Sequence, residues 1–259
     1  MGQQFNVSKA ALLAGAGVLS VFMHAAQANG VTDLKASLAS LQGQGNLKAV
    51  VDVKSVEHKL ESKIVVESTG QATVAIETNA HGLHVVYGKE TLALLENEER
   101  AKEKDPKRNT PTLKAINGLG TSTLRQLASA SGHLSRAIEN ATFKSEKADT
   151  YNGKPARLLS FEMTIDRLDP GERKAVKSYE GTLDVWIGAD GTPLASKSHE
   201  HKSIRVMMVI SFEENSDTDQ VYGVLGDRLV VLRKELRKSG EGMGEKGDSR
   251  TTTSLQIQS

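Results

Sequence analysis

YEGTLDVWIGADGTPLASKSHEHKSIRVMMVISFE, residues Tyr179–Glu213, decides the fold. Leu183, Val185 and Ile187 alternate with Asp184 and Trp186, the period-two pattern of a strand. Ala189-Asp190-Gly191 is turn chemistry, and Pro193-Leu194 starts a second strand. Two strands joined so tightly must be antiparallel, because a parallel return needs a long crossover. The second strand begins polar, from Ser196 to Ser203, and becomes apolar at every position from Val206 to Ile210. Such a run predicts cover on both faces, one by helices and the other by core, a partner or a ligand cavity with adaptable methionine in its wall. Trp186, Val206, Met207, Met208 and Ile210 are therefore the candidate residues for a hydrophobic ligand.

Working outward, the same strand signature recurs on both sides. Leu47–Glu57, Leu60–Thr69, Gln71–Thr78 and Leu83–Tyr87 are rich in Val, Ile and Thr and are separated by His58-Lys59, Gly70 and Ala80-His81-Gly82, which predicts a meander. Ahead of them, DLKASLASLQ (33–42) places Leu34, Leu38 and Leu41 on one helical stripe, with Thr32 or Asp33 as cap. The period changes between about residues 90 and 142. TLALLENEERAKEKD (91–105) is a helix whose second half is wet, Pro106 and Pro111 bracket a polar linker, and Thr123–Ala141 is a second helix. Strands resume at Phe143, with Asn152-Gly153 as a hairpin turn. Beyond the central hairpin, Asn215–Asp219 is expected to turn the chain, Gln220–Lys234 to form one strand bent at Gly223 and Gly226, Gly240–Gly247 to be a flexible loop, and Thr251–Ile257 to be the last strand. The fold class is α+β: a large curved antiparallel β-sheet, a half-barrel, with a helical insertion covering one face.

The first residues carry an address. Lys9 precedes the apolar run Ala10–Met23, and Ala26-Gln27-Ala28 supplies small residues at a cleavage site, which predicts a secretory signal peptide removed after Ala28. The apolar run is shorter than the roughly 20 residues that span a bilayer. The expected product, 29–259, is one β-rich domain in the periplasm or outside the cell, not membrane-spanning after cleavage. The chain has 33 basic and 32 acidic residues; cleavage removes one lysine and no acid, leaving 32 of each. A neutral surface excludes the concentrated basic face that nucleic acid requires. There are no cysteines, hence no disulfides, no thiolate chemistry and no cysteine-ligated metal.

Catalytic motifs are missing. Asn117-Gly118-Leu119-Gly120-Thr121-Ser122 precedes a helix but has neither the P-loop lysine nor a third glycine, so it reads as a cap. No Gly-x-Ser-x-Gly elbow occurs. His199 and His201, at i and i+2, share one face of a strand and are weak metal candidates; a third ligand is identifiable only if His81 or His84 comes near, and the competing reading is a solvent-facing polar strand. No cofactor is called for.

The phrase LDVWIGADGTPLASKS (Leu183–Ser198), set in this order of elements, resembles the periplasmic lipoprotein-carrier half-barrels of the LolA and LolB families. The resemblance implies a sheet lidded by helices around an apolar cavity for acyl chains. The function expected from it is non-enzymatic: binding or carrying a hydrophobic ligand such as a lipid or lipoprotein acyl chain. The alternatives are a cell-envelope module that binds a protein partner and no small ligand and, third, a metal-dependent enzyme using His199 and His201.

Overall fold

The structure is a computed structural model describing residues 29–258 apart from 44, 62, 80, 208, 209 and 243. The signal-peptide reading of residues 1–28 lies outside the described residues. An N-terminal helix, α1 (Gly30–Ser40), leads into β1 (Leu47–Glu61), β2 (Ile64–Asn79) and β3 (Gly82–Val86). Four helices follow: α2 (Lys89–Lys104), α3 (Pro111–Gly118), α4 (Thr121–Ala128) and α5 (Ser131–Glu139). Then come β4 (Ala141–Tyr151), β5 (Lys154–Met163), a 3-10 turn at Ile165–Arg167 and the short α6 (Pro170–Ala175). The chain ends in β6 (Val176–Ile187), β7 (Pro193–Met207), β8 (Ile210–Leu225), β9 (Arg228–Gly242) and β10 (Glu245–Ile257).

All ten strands form one open antiparallel sheet in the order β3-β2-β1-β10-β9-β8-β7-β6-β5-β4. Every neighbouring pair is consecutive in the chain except β1 with β10, which zips the two halves of the chain together over eleven residue pairs from Ala49↔Ile257 to Lys59↔Gly247. The edge strands β3 and β4 are joined in sequence by α2–α5, so the helices must carry the chain from one edge to the other across a face. They do so as a lid: α3 lies on β2, α4 on β9, and α5 against α1 and β4. This is the expected α+β half-barrel with helices on one face.

Apolar packing fixes the lid at one end of the sheet. Leu34 and Leu38 of α1 are fully buried with Leu127 of α4, Leu134 and Ile138 of α5, and Val51, Ile76, Leu159, Val185 and Ile187 of the sheet. Arg228, 7% exposed, opens β9 in this region; its guanidinium donates to Ala128 O (3.2 Å), Gly43 O (3.2 Å) and Gly45 O (2.6 Å). One buried cation thus answers carbonyls at the α4 C-terminus and after α1, where helix ends leave them unpaired. The Ala189-Asp190-Gly191 turn docks on α1: at Gly191 (φ +83°) an added Cβ would stand 2.5 Å from Asp33 O.

Several expected boundaries move. α1 is capped by the Asn29 side chain, which accepts from Val31 N, and Asp33 instead accepts from Arg157 (2.7 Å). β1 and β2 run without a break through His58-Lys59 and Gly70, because fifteen cross-strand pairs, Leu47↔Thr78 to Glu61↔Ile64, outweigh weak local turn chemistry. Part of the expected polar linker is α3, started by Pro111 at its first helical position, where the missing N–H costs nothing. The expected helix Thr123–Ala141 is two helices, parted at Ser129-Ala130 where Ala130 N donates to Leu229 O on the sheet (2.8 Å).

At the second hairpin the chain reverses between Met207 and Ile210, which pair with each other, and not at Asn215–Asp219, which lies inside β8. Gly226 (φ +58°) belongs to the β8–β9 turn, and Gly240–Gly247 is largely the β9–β10 hairpin, paired from Glu245↔Gly242 onward. In each case an alternating polar strand lacks the apolar signal that marks strands in sequence.

Candidate functional site

Toward the other end of the sheet the inner face changes character. Three rows of side chains cross seven strands in register. The first runs Val53, Thr253, Lys234, Gln220, Ser196, Val185, Leu159; the second Ser55, Thr251, Leu236, Thr218, Ser198, Leu183, Phe161; the third Glu57, Ser249, Lys238, Ser216, Glu200, Gly181, Met163. Each row is apolar at its β5–β6 end and polar in the middle, except at Leu236. The wet middle strands β7–β10 therefore carry polar groups on both faces.

Between these rows and the lid lie two cavities. One, about 320 Å³, is bounded by Val53, Ser55, Lys114, Ala115, Thr123, Leu236, Lys238 and Thr251. The second, about 230 Å³, is bounded by Gln126, His133, Leu134, Met163, Arg167, Leu183, Ser198, Glu200 and Tyr222. Lys234 lines both. A broader hollow of about 630 Å³, lined by Glu213, Asn215, Glu241, Lys246 and Asp248, lies at the β8–β10 hairpin ends without a helix over it.

Lys234 ties sheet to lid. Its Nζ donates to Gln126 Oε1 of α4 (2.9 Å), and Gln126 Nε2 donates to Gln220 Oε1 of β8 (3.2 Å). Burial, reinforced by Lys238 four residues along the strand, holds the Lys234 ammonium below the ordinary lysine value. Lys114 reaches from α3 to bond Glu57, and donates to Ser68 Oγ (2.9 Å); that bond holds the Glu57 carboxyl below its usual range. Ser55 Oγ, on the cavity wall, is buried with no hydrogen-bond partner. In the second cavity Tyr222 OH pairs with Ser196 Oγ (2.8 Å), and burial pushes its pKa up to about 12. Arg167 bonds Glu200 (2.5 Å) and donates to Tyr179 OH (3.1 Å), closing one side. His133 is held below the ordinary histidine value by burial, then by Arg136, Lys234 and Arg167.

Trp186, His199 and His201 stand outside this cleft. Trp186 alternates with Val185 and Ile187 and so faces away from the lid; its Nε1 donates to Asp149 Oδ2 (3.0 Å) and its ring lies 6.2 Å from that of Tyr151. Val206, Met207 and Ile210 belong to the paired ends of β7 and β8, and the continuous apolar run is therefore two strand ends and not one doubly covered strand. The positions of Met208 and Val209, and the side chains of the other three, lie outside the described residues. His199 and His201 face outward in a cross-strand ladder: His199 Nδ1 bonds Asp217 Oδ1 (2.9 Å), and His201 Nδ1 lies 2.9 Å from Asn215 Oδ1. His81 and His84 sit at the β2–β3 hairpin, six strands away in the sheet. Among the described residues no three His, Cys, Asp or Glu side chains are grouped to hold a metal ion.

The cleft thus rests on residues the motif search passed over. Their signal was present: SKSHEHKS, ENSDTDQ, RKELRKS and SRTTTS are four strands polar at both parities. A strand that is polar on both sides, inside a sheet with one lidded face, lines a wet cavity.

No protein-family model matches the chain, and no curated protein does either. Among solved structures, the crystal structure of a LolA superfamily protein from Nitrosomonas europaea is similar at the level of fold, with 10% identity over 89% of this chain and 94% of that one and a TM-score of 0.29.

Proposed function

We propose that this chain is an exported, non-catalytic binding protein of the periplasm that holds an amphipathic, lipid-like ligand between the inner face of its sheet and the α3–α5 lid. The observation that carries this reading is the pair of cavities meeting at Lys234, the larger at the low end of the size range of small-molecule sites. Leu236, Leu183, Leu134 and Met163 supply apolar wall for a tail, and Ser55, Thr251, Ser198 and Lys234 supply polar wall for a head. The mixed lining supports an amphiphile over a bare hydrocarbon. A lipid or the acylated end of a lipoprotein has this chemistry. The mature chain starts at Asn29, the residue that caps α1. No helix among the described residues is long and apolar enough to cross a membrane.

Native mass spectrometry of protein recovered from the periplasm tests this. The expected spectrum shows a chain beginning at Asn29 with lipid adducts that organic extraction removes. A bare mass, together with no uptake of lauroyl amphiphiles offered in vitro, overturns the binding reading and leaves a protein-interaction role in the cell envelope.

A further inference from the structure

We infer that the ligand bears an anionic oxygen head group, a carboxylate or a phosphate, and that this group docks on Lys234. The inference rests on the cleft reading above and names the chemistry of its ligand.

Charge around the cleft is unbalanced. Lys114, Lys234, Lys238 and Arg167 face it, against the carboxylates Glu57 and Glu200. Glu57 is taken by Lys114, and Glu200 by Arg167. Among the described residues no carboxylate bonds Lys234 or Lys238. In a mature chain with as many acids as bases, this leaves an excess of two positive charges, one on half-buried Lys234 and one on exposed Lys238 at the rim. Across the sheet, cations are answered: Glu235 alone bonds Arg233, Arg237 and Arg250. The outer face thus answers its cations through Glu235, whereas Lys234 and Lys238 on the cleft face have no carboxylate among the described residues.

Lys234 is half-buried, whereas Lys238 and Arg167 are exposed. An ammonium has three donors, and among the described residues one is used, on the neutral Gln126 amide oxygen. Taking a charge from water without a counter-ion costs stability. A ligand anion would supply the missing partner through charge-assisted bonds that strengthen in the lidded space. The depressed proton affinity of Lys234 agrees with a cation lacking its counter-charge. The surrounding hydroxyls of Thr253, Thr251 and Thr123 can donate to the remaining oxygens of a head group. Leu236, next on the same face of β9, leads the tail away from the anchor.

Isothermal titration of the mature chain at low salt tests this with amphiphiles of equal tail length below their micellar concentrations. The set is laurate, lauroyl lysophosphatidylglycerol, neutral monolaurin and inorganic phosphate. Laurate, the lysolipid or both should bind at least roughly tenfold more tightly than monolaurin, the size of effect a charge-assisted hydrogen bond produces. Which of the two is preferred tells carboxylate from phosphate. Lys234→Met should bring the anionic amphiphiles to the monolaurin level while raising Tm, since it removes a half-buried charge without a counter-ion among the described residues; Lys234→Arg should keep the preference. Monolaurin bound as tightly as laurate and the lysolipid by wild type overturns the anionic head and leaves the cleft reading standing. A preference that survives Lys234→Met overturns the docking point. Phosphate bound as tightly as the lysolipid overturns the tail, that is, the cleft reading, and not the anchor. Binding of none of the four overturns both.

Discussion

The two ends of this sheet share the same strands but not the same chemistry. Near α1, β1 presents Ala49 and Val51 to the helices, β2 Val74 and Ile76, and β6 Val185 and Ile187, all of them at most 2% exposed. Further along the same faces, β1 presents Ser55 and Glu57 and β2 Gly70 and Ser68, and β7, next to β6, adds Ser198 and Glu200. The backbone ladder continues through this change, because its hydrogen bonds join main-chain groups, and register is already set by the apolar end and the turns. Stability can therefore be concentrated at one end while the other is left hydrated and partly hollow. The lid connects them: α4 and α5 are greased into the dry end by Leu127, Leu134 and Ile138, and α3 and Gln126 of α4 reach over the wet one.

If the division is energetic as well as chemical, one substitution should give different answers at the two ends. Leu38→Ala removes a fully buried side chain from the dry end and should cost about 2–5 kcal/mol in urea unfolding. Leu236→Ala, on the cavity wall, should cost well under half of that, because water or ligand can enter the space it leaves. Equal losses would show that the wet end is part of the cooperative core and that its cavities are packing defects.

The dry end was the legible one. Leu34-Leu38-Leu41 at helical spacing and Leu183-Val185-Ile187 at strand spacing state their partners through periodicity, and both stripes are buried as expected. The Asn152-Gly153 turn was legible because it needs positive φ at both residues, 49° and 75° here. The wet end was not. In DSRTTTS or RKELRKS neither parity is apolar, so nothing local distinguishes a cavity wall from a solvated face; only the β1–β10 pairing, a contact across some two hundred residues, sets Thr251 and Lys234 opposite the lid. The MMVI run misled for the converse reason. Val206–Ile210 reads as one covered strand, whereas Met207 and Ile210 pair with each other at the ends of two strands. α3 was missed because PTLKAING carries only Ala115 and Thr112 as buried positions, too few to declare a period.

The seam between the ends can be opened directly. At Gly70, α3 sits so close to β2 that an added Cβ would stand 2.4 Å from Ser55 Oγ, 3.2 Å from Pro111 O and 3.3 Å from Ala115 N. The serine hydroxyl can turn aside, but the two backbone atoms belong to the helix and move only with it. Gly70→Val should therefore cost about 1–3 kcal/mol by overpacking. It should also raise amide exchange in α3 and weaken amphiphile binding, leaving exchange in α1 unchanged. A variant with wild-type exchange in α3 would show that the helix is not held at this contact.

The smallest expected effect separates the two regions by the sign of a titration. His58, at the far end of β1, has Nδ1 3.0 Å from Asp248 Oδ2 and Nε2 3.3 Å from Glu67 Oε2, and these bonds raise its proton affinity above the ordinary histidine value. A raised folded-state pKa gives stability that is fully present below the unfolded value near 6.5 and is lost as pH rises through the folded value. His133, under the lid, is shifted down by burial, so its contribution has the opposite sense: present above about 6.5, and lost as pH falls through the lowered folded value. Proton NMR of the imidazole C–H resonances should place the His58 midpoint above that of a model peptide and the His133 midpoint below it. His58→Gln should flatten the alkaline side of the stability profile, and His133→Gln the acidic side. Adding an anionic amphiphile should raise the His133 midpoint, because Lys234 is one of the cations that depress it and an anion on that lysine cancels its field, while His58 stays where it was. A His133 midpoint unmoved at saturating amphiphile would place the bound head group away from Lys234.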